Sequence, residues 1–276
     1  MNKTAYERVK LARSNSRPTG ADFIKNIFTG FIELHGDRRF ADDRAVIGGI
    51  AELGNMPVTV LAVEKGRGAK ERAMRNFGAP NPEGYMKALR LMKQAEKFKR
   101  PVVCFIDTSG AYCGVGAEER GQAGAIAENL TEMMTLGTPI ISLIIGEGGS
   151  GGALALALAD RVWMLENAVY SVISPEGCAS ILWKDSAKAA EAAEKLKLTA
   201  QDALRLSVIE RIIPESNIGA ADFYKRIGGM IAGELEVLRK LSPPELTDLR
   251  YKRFRVFGAR AEPENGPESK PGGEPR

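Results

Sequence analysis

A glycine-rich stretch at 146–155, GEGGSGGALA, is the strongest candidate for chemistry in this sequence. It fits three patterns at once. Gly146, Gly148 and Gly151 match the dinucleotide-binding pattern G-x-G-x-x-G. Ser150 lies at the centre of the nucleophile-elbow pattern G-x-S-x-G. A glycine turn that opens a helix can also present backbone N–H groups to an anion, without any side-chain chemistry.

Glu166, at the end of the next predicted strand, lies at the right distance for the dinucleotide pattern, but other features of the chain count against the first two patterns. At least three predicted strands precede the glycines, whereas the dinucleotide motif belongs to the first βαβ unit of its domain. An elbow serine needs a histidine base, normally later in the chain, but the single histidine, His35, lies far upstream. A Ser150 nucleophile with a lysine base is a further alternative, but no sequence motif supports it.

A second glycine-rich loop, DTSGAYCGVGAEERGQ at 107–122, also follows a predicted buried strand and precedes a helix. Two neighbouring strands therefore end in glycine-rich turns at the same edge of the predicted sheet. Each turn can aim one backbone N–H at the same oxygen, which is the arrangement of an oxyanion hole. The alternative is that both loops are tight turns around close packing.

A run of positive charge follows the second predicted strand. Lys65, Arg67, Lys70, Arg72 and Arg75 all lie in the loop EKGRGAKERAMRNFGAPNPEG. Positive charge beside a cleft attracts phosphates or carboxylates. A solvated protein surface is the alternative for such a run.

The elements that must position these loops follow from the hydrophobic pattern. Helices are predicted at 20–34, 84–99, about 117–136, 152–160 and 219–241, with shorter ones from 175 onward. Strands are predicted at 45–53, 57–64, 101–107, 138–145, 161–166 and 170–174. Gly54-Asn55 predicts a hairpin between the first two strands. Strands that alternate with helices predict an α/β fold with a mostly parallel sheet.

Composition sets broad limits on function. The chain has 276 residues, 44% hydrophobic and 27% charged, which fits one large globular domain or two small ones. A net charge of +4 does not indicate nucleic-acid binding. Three cysteines without C-x-x-C spacing predict neither a disulfide framework nor a zinc site. The polar start and the lack of a long apolar run predict no signal peptide and no membrane span, hence a cytoplasmic protein.

Five long blocks in order resemble the alpha-subunit family of bacterial acetyl-CoA carboxylase carboxyltransferases, within the crotonase-like superfamily. The blocks are ELHGDRRFADD, RNFGAPNPEGYMKALRLMKQAEKF, GVGAEERGQ, IGEGGSGGALA and YSVISPEGCASILWKD. The resemblance runs from about Tyr6 to Pro214. It implies an α/β crotonase-like spiral of ββα units with flanking N- and C-terminal helices. The resulting division is an N-terminal helical segment at 1–44 and a carboxyltransferase domain at 45–257. The tail at 258–276 is rich in Gly, Pro and Glu and lacks large apolar residues, which predicts disorder.

The resemblance also implies an activity. Such subunits transfer a carboxyl group from carboxybiotin, on a biotin carboxyl carrier protein, to acetyl-CoA, giving malonyl-CoA for fatty acid synthesis. They work with a zinc-ribbon beta subunit, usually as α2β2, and with biotin carboxylase. The beta subunit mainly holds acetyl-CoA and the alpha subunit mainly receives biotin, with no metal in this chain. Cofactor and substrate then supply the acid–base chemistry, which fits a chain with one histidine.

The resemblance assigns roles to particular residues. The predicted oxyanion donors are the backbone N–H groups of Gly110 or Ala111 and of Gly151 or Gly152. Substrate or cofactor contacts are predicted at Gly114, Gly116, Gly148, Gly149, Lys65, Arg67, Lys70 and Arg75. The sequence departs from the family in GRGAKE at 66–71, and in Ser109 and Cys113, which replace prolines. Cys113 is interpreted as a packing or loop residue, since no base lies nearby in sequence.

Two other functions stay open at this point. A stand-alone crotonase-like acyl-CoA enzyme would need a glutamate in its cleft, and Glu118, Glu119 and Glu147 are the candidates. A divergent copy could also bind carrier protein or CoA without turnover. Ser109 and Cys113 are the residues that keep this last hypothesis open.

Overall fold

The structure, a computed structural model, describes residues 3–257. Its strands are β1 (Thr29–Glu33), β2 (Val46–Leu53), β3 (Met56–Val63), β4 (Val102–Thr108), β5 (Ile140–Gly149), β6 (Arg161–Leu165), β7 (Val169–Ser171) and β8 (Arg211–Ile213). Its helices are α1 (Ala5–Ala12), α2 (Gly20–Ile27), α3 (Gly68–Met74), α4 (Pro82–Lys97), α5 (Val115–Glu119), α6 (Gln122–Thr135), α7 (Ser150–Ala157), α8 (Pro175–Trp183), α9 (Ala189–Leu196), α10 (Ala200–Arg205), α11 (Ala221–Leu238) and α12 (Pro243–Arg255). The tail predicted to be disordered, 258–276, lies outside the described residues.

The strands form one eight-stranded sheet in the order β1-β2-β3-β4-β5-β6-β8, and β7 pairs with the end of β5. The first three strands are antiparallel neighbours, whereas all pairs from β3 to β8 are parallel. This confirms the predicted α/β architecture with a mostly parallel sheet. Parallel strands carry their loops at one edge, so the carboxyl ends of β3, β4 and β5 lie side by side.

Helices cover both faces of the sheet, which is why its central strands are apolar along their whole length. All seven residues of β4 are buried. On one face α2 packs through Phe23, whose ring centroid lies 5.1 Å from that of Phe105 in β4. On the other face α4 packs through Leu91 beside Leu61 of β3, at the point where Gly48 leaves room. The glycine-rich ends of β4 and β5 thus project from a rigid layered core.

Several predicted elements are confirmed. The predicted hairpin joins β2 to β3. Of its two turn residues, Gly54 has a positive φ of 61° and Asn55 does not, a combination typical of a type II′ turn. The apolar spacing that predicts the helix at 84–99 places Tyr85, Leu89 and Met92 on one face, and all three are buried in α4. The apolar spacing of the helix predicted at 219–241 likewise places Phe223 and Ile227 on one face, and both are buried in α11.

Other predicted elements are wrong in extent. The helix predicted at 20–34 ends at Ile27, and β1 follows, because Phe28 turns extended and the next residues pair with β2. The segment 1–44 therefore contributes a strand as well as α1 and α2, and the division of the chain at residue 44 stays a prediction. The long basic loop contains α3. The helix predicted at about 117–136 is broken at Gly121, where φ is +80°.

Strand β5 is longer than predicted and continues through Gly146, Gly148 and Gly149. Its end pairs with β7 and with Thr108 of β4. Close approach explains the glycines, since a Cβ on Gly146 would lie 2.3 Å from the Asp107 carboxylate. Helix α7 then begins at once and is buried except at Gly151, Ser150 and Leu154.

Helix α12 is held to the opposite edge of the sheet by one buried arginine. The Arg250 guanidinium donates to both carboxylate oxygens of Asp160, each at 2.9 Å. It also donates to the carbonyl oxygens of Met133 at 2.6 Å, Leu136 at 2.7 Å and Thr138 at 3.0 Å. The Arg250 side chain is 0% exposed, so α12 is fixed to the C-terminal end of α6 and to the residues that precede β5 and β6.

Candidate functional site

The two glycine-rich turns touch each other at the carboxyl edge of the sheet. A Cβ built on Gly149 would lie 2.2 Å from the Ser109 carbonyl oxygen. A Cβ built on Gly152 would lie 2.5 Å from the Ala111 nitrogen and 2.7 Å from the Gly110 carbonyl carbon. The meeting of the two loops, which the sequence predicts, is therefore confirmed. Glycine is required at 149 and 152 because another backbone occupies the space of a side chain.

The backbone N–H groups at this junction differ in their availability. The Gly110 N–H donates to Thr108 Oγ1 at 3.1 Å, and the Thr108 hydroxyl donates back to the Gly110 carbonyl at 2.8 Å. The Ala111 N–H has no acceptor within the part of the chain that the structure describes. Of the two candidates in the first turn, Ala111 is thus the better placed donor.

The second turn supplies its N–H groups at the start of a helix. Gly151 and Gly152 lie in the first turn of α7, where backbone N–H groups have no partner inside the helix. The positive end of the helix dipole also lies there and favours negative charge. Together with the Ala111 N–H, these groups are the candidate donors to an oxygen that carries negative charge.

A buried glutamine fixes the first turn from behind. The Gln122 side-chain amide donates to the carbonyls of Pro80 and Tyr112, both at 2.8 Å, and the Tyr112 N–H donates to Pro80 at 2.9 Å. Gln122 is only 3% exposed. Sequence reasoning missed this residue, and its place directly after Gly121 at the start of α6 is the signal that could have found it.

The glycines predicted to contact substrate occupy different environments. Gly148 is buried against the Tyr170 ring, and Gly149 lines a small cavity of about 40 Å³ together with Ile173 and Ser174. Gly114 packs against the ring of Tyr112, and Gly116 follows it in α5. Only Gly149 of the four directly adjoins the junction of the two turns.

The basic loop is largely engaged by the protein itself. Lys65 is half-buried, and its Nζ lies 2.6 Å from Asp107 Oδ1 and 3.0 Å from Glu147 Oε2. Arg13, the residue that follows α1, donates to the other Glu147 oxygen at 2.8 Å. Burial opposes the charge on Glu147, but Lys65 and Arg13 outweigh it and lower the pKa of that carboxyl. The structure therefore gives Lys65 an internal ion-pair network in place of a free cation. The sequence signal for this network was Asp107, a charged residue at the end of an otherwise apolar strand.

Two more cations of the loop are paired. Arg67 lies 2.5 Å from Asp22, and Arg75 lies 3.0 Å from Glu71 and donates to the Arg44 carbonyl. Two of the residues that the sequence analysis assigned to substrate binding are therefore engaged by the protein itself.

Lys70 and Arg72 are the cations of the loop without a carboxylate within 4.0 Å in the described range 3–257. Arg72 donates to Asn15 Oδ1 at 2.6 Å, and its guanidinium lies 5.6 Å from the centre of the Phe77 ring. It lines an open cavity of about 540 Å³ beside Ser14 and Lys65.

Phe77 reaches this cavity from a strained turn. Its φ of +55° is rare for a bulky residue, and yet 56% of its surface is exposed. Gly78, at φ +79°, holds the turn against Lys65 and Asp107. An exposed aromatic ring on a strained backbone, beside a guanidinium without a carboxylate partner, makes this wall of the cavity a candidate ligand-binding surface.

We expect Lys65→Met to lower the free energy of unfolding at pH 7 by about 3 kcal/mol, because it leaves Asp107 and Glu147 as neighbouring buried carboxylates. The pKa of Glu147 is lowered in the fold, so its contribution exists above its ordinary value of 4.5 and disappears as pH falls through the folded pKa. The deficit of the variant should therefore shrink in acid. Urea unfolding at pH 7 and pH 4 measures both effects. Lys70→Met is the matched control, and an equal loss there contradicts the ion-pair assignment.

The serine-nucleophile hypothesis lacks a base. Ser150 does have a positive φ of +51° at a strand-to-helix turn, as an elbow serine would. The chain's one histidine, His35, is 61% exposed, and its Nδ1 lies 3.1 Å from Asp42 Oδ2 beyond β1. His35 lines a different cavity, with Arg44 and Met74.

The glutamates required by a stand-alone acyl-CoA enzyme are poorly suited to acid–base work. Glu118 and Glu119 are exposed on α5. Glu147 is bound by Lys65 and Arg13 and has a lowered pKa, so it is a weak base. Cys113 is exposed in the first loop, which makes it a loop residue and not a packing residue.

Within residues 3–257, no cluster of histidine, cysteine and acidic side chains could hold a metal ion. No helix in the same range is both long and apolar enough to cross a membrane.

The fold and the paired glycine turns define a class of protein. Transcarboxylase 12S with hydrolysed methylmalonyl-coenzyme A bound has the same fold, with a TM-score of 0.68 at 19% identity over 84% of this chain and 44% of that chain. The chain thus has the crotonase-like α/β fold of carboxyltransferases.

Sequence comparison narrows the class to a family. The family described as "Acetyl co-enzyme A carboxylase carboxyltransferase-like" matches residues 1–258, and the chain belongs to it. It is 61% identical to the acetyl-coenzyme A carboxylase carboxyl transferase subunit alpha of Ruminiclostridium cellulolyticum over 255 residues, 92% of this chain and 98% of that protein. It is 58% identical to the subunits beta/alpha protein of Natranaerobius thermophilus over 95% of this chain, which spans 44% of that protein. The resemblance stated from the motifs is confirmed.

Proposed function

We propose that this chain is the alpha subunit of an acetyl-CoA carboxylase carboxyltransferase. It takes the carboxyl group from carboxybiotin on a carrier protein and, together with a beta subunit, passes it to acetyl-CoA to give malonyl-CoA. The observation that carries the proposal is the junction where the Ala111 N–H meets the first turn of α7. Relatives named carboxyl transferase subunit alpha, at up to 61% identity, support the substrate assignment.

The residues at the junction fit a ureido oxygen. Gly149 and Gly152 leave a cradle that a Cβ would fill, and the Ala111, Gly151 and Gly152 N–H groups supply neutral donors. When bound, carboxybiotin supplies both the carboxyl group and the base that takes up the methyl proton of acetyl-CoA. The chain's own part is to hold the oxygen that gains negative charge, to orient the ring and to exclude water.

This division of labour explains a site without catalytic side chains. Fixed N–H donors stabilise negative charge without reorganising as it forms. The positive end of the α7 dipole lies at the junction and favours that charge.

We also propose that the anionic portions of the ligands meet Arg72, whereas Lys65, Arg67 and Arg75 hold the loop in shape. Lys70, the other cation without a carboxylate partner, lines the separate cavity that contains His35. Arg72 has donors to spare and stacks near Phe77 at the wall of the cavity of about 540 Å³. A cavity of this size is in the ordinary range for small-molecule sites.

We expect Arg72→Gln to raise KM for its anionic ligand by about tenfold while kcat stays within about twofold, because the residue contributes binding away from the reacting atoms. Steady-state kinetics with malonyl-CoA and free biotin varied in turn identify which ligand is affected. Lys97→Gln, a surface change on the far end of α4, is the control. Unchanged KM for both ligands contradicts a role for Arg72 in binding.

The proposal includes a beta subunit, a biotin carboxyl carrier protein and a biotin carboxylase, most simply as an α2β2 carboxyltransferase. The beta/alpha protein of Natranaerobius thermophilus, in which one chain carries both names, supports the beta partner.

Malonyl-CoA-dependent carboxylation of free biotin, the reverse half-reaction, tests the proposal. The assay compares this chain alone, the beta subunit alone and the two co-expressed. Activity only in the mixture is the expected result. Activity of this chain alone would instead indicate a self-sufficient crotonase-like enzyme, and a folded but inactive complex would indicate a non-catalytic copy.

A further inference from the structure

A buried tyrosine lies directly behind the junction of the two glycine turns. Tyr85 of α4 is 0% exposed and packs in a small apolar cluster with Leu89, Ala125 and Ala155. Ala111 of the first turn packs against the same cluster. The ring therefore supports the turn that carries the best placed N–H donor.

The Tyr85 hydroxyl reaches the same point as the two turns. The position that a Gly152 Cβ would take lies 2.9 Å from Tyr85 Oη, 2.5 Å from the Ala111 nitrogen and 2.7 Å from the Gly110 carbonyl carbon. The hydroxyl and the Gly110–Ala111 peptide are thus both packed closely against Gly152 in the first turn of α7.

This hydroxyl has no hydrogen-bond partner among the residues 3–257, although it is enclosed. A buried hydroxyl without a partner costs free energy that phenylalanine, with nearly the same shape, would not cost. Burial, and to a lesser degree Asp43, also raise the pKa of Tyr85, so the phenol keeps its proton. A protonated and uncommitted O–H dipole therefore lies behind the proposed oxyanion site.

We propose that Tyr85 is a positioning residue of the oxyanion hole. Its ring packs beside Ala111, and its hydroxyl turns its O–H dipole toward the negative oxygen that Ala111 and Gly152 hold. It does not touch that oxygen, because the hydroxyl is enclosed behind the backbone. In such enclosed surroundings a dipole acts more strongly than it does in water. The inference rests on the proposed function, since it assigns Tyr85 to that same site.

Tyr85→Phe in the complex with the beta subunit is the direct test. We expect kcat for carboxylation of free biotin to fall about tenfold, less than the loss of a direct oxyanion donor, with KM for malonyl-CoA unchanged. The melting temperature should stay equal or rise, because an unpaired buried hydroxyl is removed. Tyr224→Phe is the matched control, since Tyr224 is a buried tyrosine of α11 packed on Phe23 and Phe223, away from the turns.

A second measurement does not depend on turnover. The chain carries six tyrosines, so 3-fluorotyrosine labelling of this chain alone gives a small set of fluorine resonances. The resonance missing from the Tyr85→Phe spectrum belongs to Tyr85, and the one missing from Tyr224→Phe belongs to Tyr224. Titration of the complex with free biotin should shift the Tyr85 resonance and leave that of Tyr224 in place.

The outcomes separate this inference from the proposed function. An inactive wild-type complex defeats the proposed function itself. An active wild-type complex with a fully active Tyr85→Phe variant, or with no fluorine shift at Tyr85, overturns the role of Tyr85 alone. A fall in melting temperature together with the loss of rate indicates packing only and also overturns it.

Discussion

Gly152→Ala is expected to lower carboxyl transfer by about 100-fold or more, the scale on which oxyanion-hole donors contribute. The added Cβ would lie 2.5 Å from the Ala111 nitrogen and 2.7 Å from the Gly110 carbonyl carbon, so backbone must move. Because that backbone carries the proposed donor, the substitution displaces the N–H from the position of the oxygen. The methyl group of alanine is therefore large enough to displace this backbone.

Substitutions at the two preceding residues, Gly151 and Ser150, are the controls for this variant. A Cβ on Gly151 meets only Ile126 side-chain atoms at 3.7 Å, which is an ordinary contact. Gly151→Ala should therefore retain activity within a few-fold, although it lies one residue away on the same helix turn. Ser150→Ala should also change the rate little, because the Ser150 hydroxyl makes no hydrogen bond to a base among residues 3–257.

The rate of malonyl-CoA-dependent carboxylation of free biotin, measured with the beta subunit, compares the three variants. A melting curve of each variant separates loss of chemistry from loss of fold. Near-normal activity of Gly152→Ala would show that the Gly110–Ala111 peptide is not part of the site. If Ser150→Ala lost all carboxylation activity while Gly151→Ala stayed active, the serine would again be a candidate nucleophile.

Arg250→Leu should have the largest effect on stability, a loss of about 3–5 kcal/mol in the free energy of unfolding. The change leaves the Asp160 carboxylate buried and removes the donors to the carbonyls of Met133, Leu136 and Thr138. Each of these groups lies where water cannot easily replace the guanidinium. Helix α12 would also lose its only buried charged anchor within the described residues.

For a chain of this size, about 3–5 kcal/mol corresponds to a fall of roughly 6–20 °C in melting temperature. Differential scanning calorimetry of the wild type and the variant measures it. Arg239→Leu, which breaks an exposed ion pair with Glu236, is the control and should change stability by less than about 1 kcal/mol. A small effect of Arg250→Leu would mean that α12 is not held by this network.

The fold was largely predictable because its signals are local. Apolar runs such as VVCFID predict buried strands, and the face of Tyr85, Leu89 and Met92 predicts α4. The errors occurred where pairing overrides local preference. Residues 29–33 continue the apolar spacing of α2, yet they form β1, because β2 offers them a row of hydrogen-bond partners.

The site was predictable only in part. Glycine-rich turns at the ends of adjacent strands predict N–H donors, and the family motifs place them at Gly110 or Ala111 and at Gly151 or Gly152. Which N–H is free depends on Thr108, whose hydroxyl engages Gly110, and this contact has no sequence signature. The roles of Lys65, Arg67 and Arg75 depend on distant carboxylates, which the sequence cannot bring into contact.

The sequence by itself determined the α/β class, the order of most elements, the family and the two loops that meet. These features depend on periodicity, on glycine and on long ordered motifs, all of which are properties of neighbouring residues. The tertiary structure alone decided that Gly152 has no room for a methyl group while Gly151 has room. It alone placed the Tyr85 hydroxyl behind the Ala111 peptide and left Arg72 free while pairing Lys65. Such outcomes depend on distances between residues far apart in the chain, because sterics and ion pairing act through space.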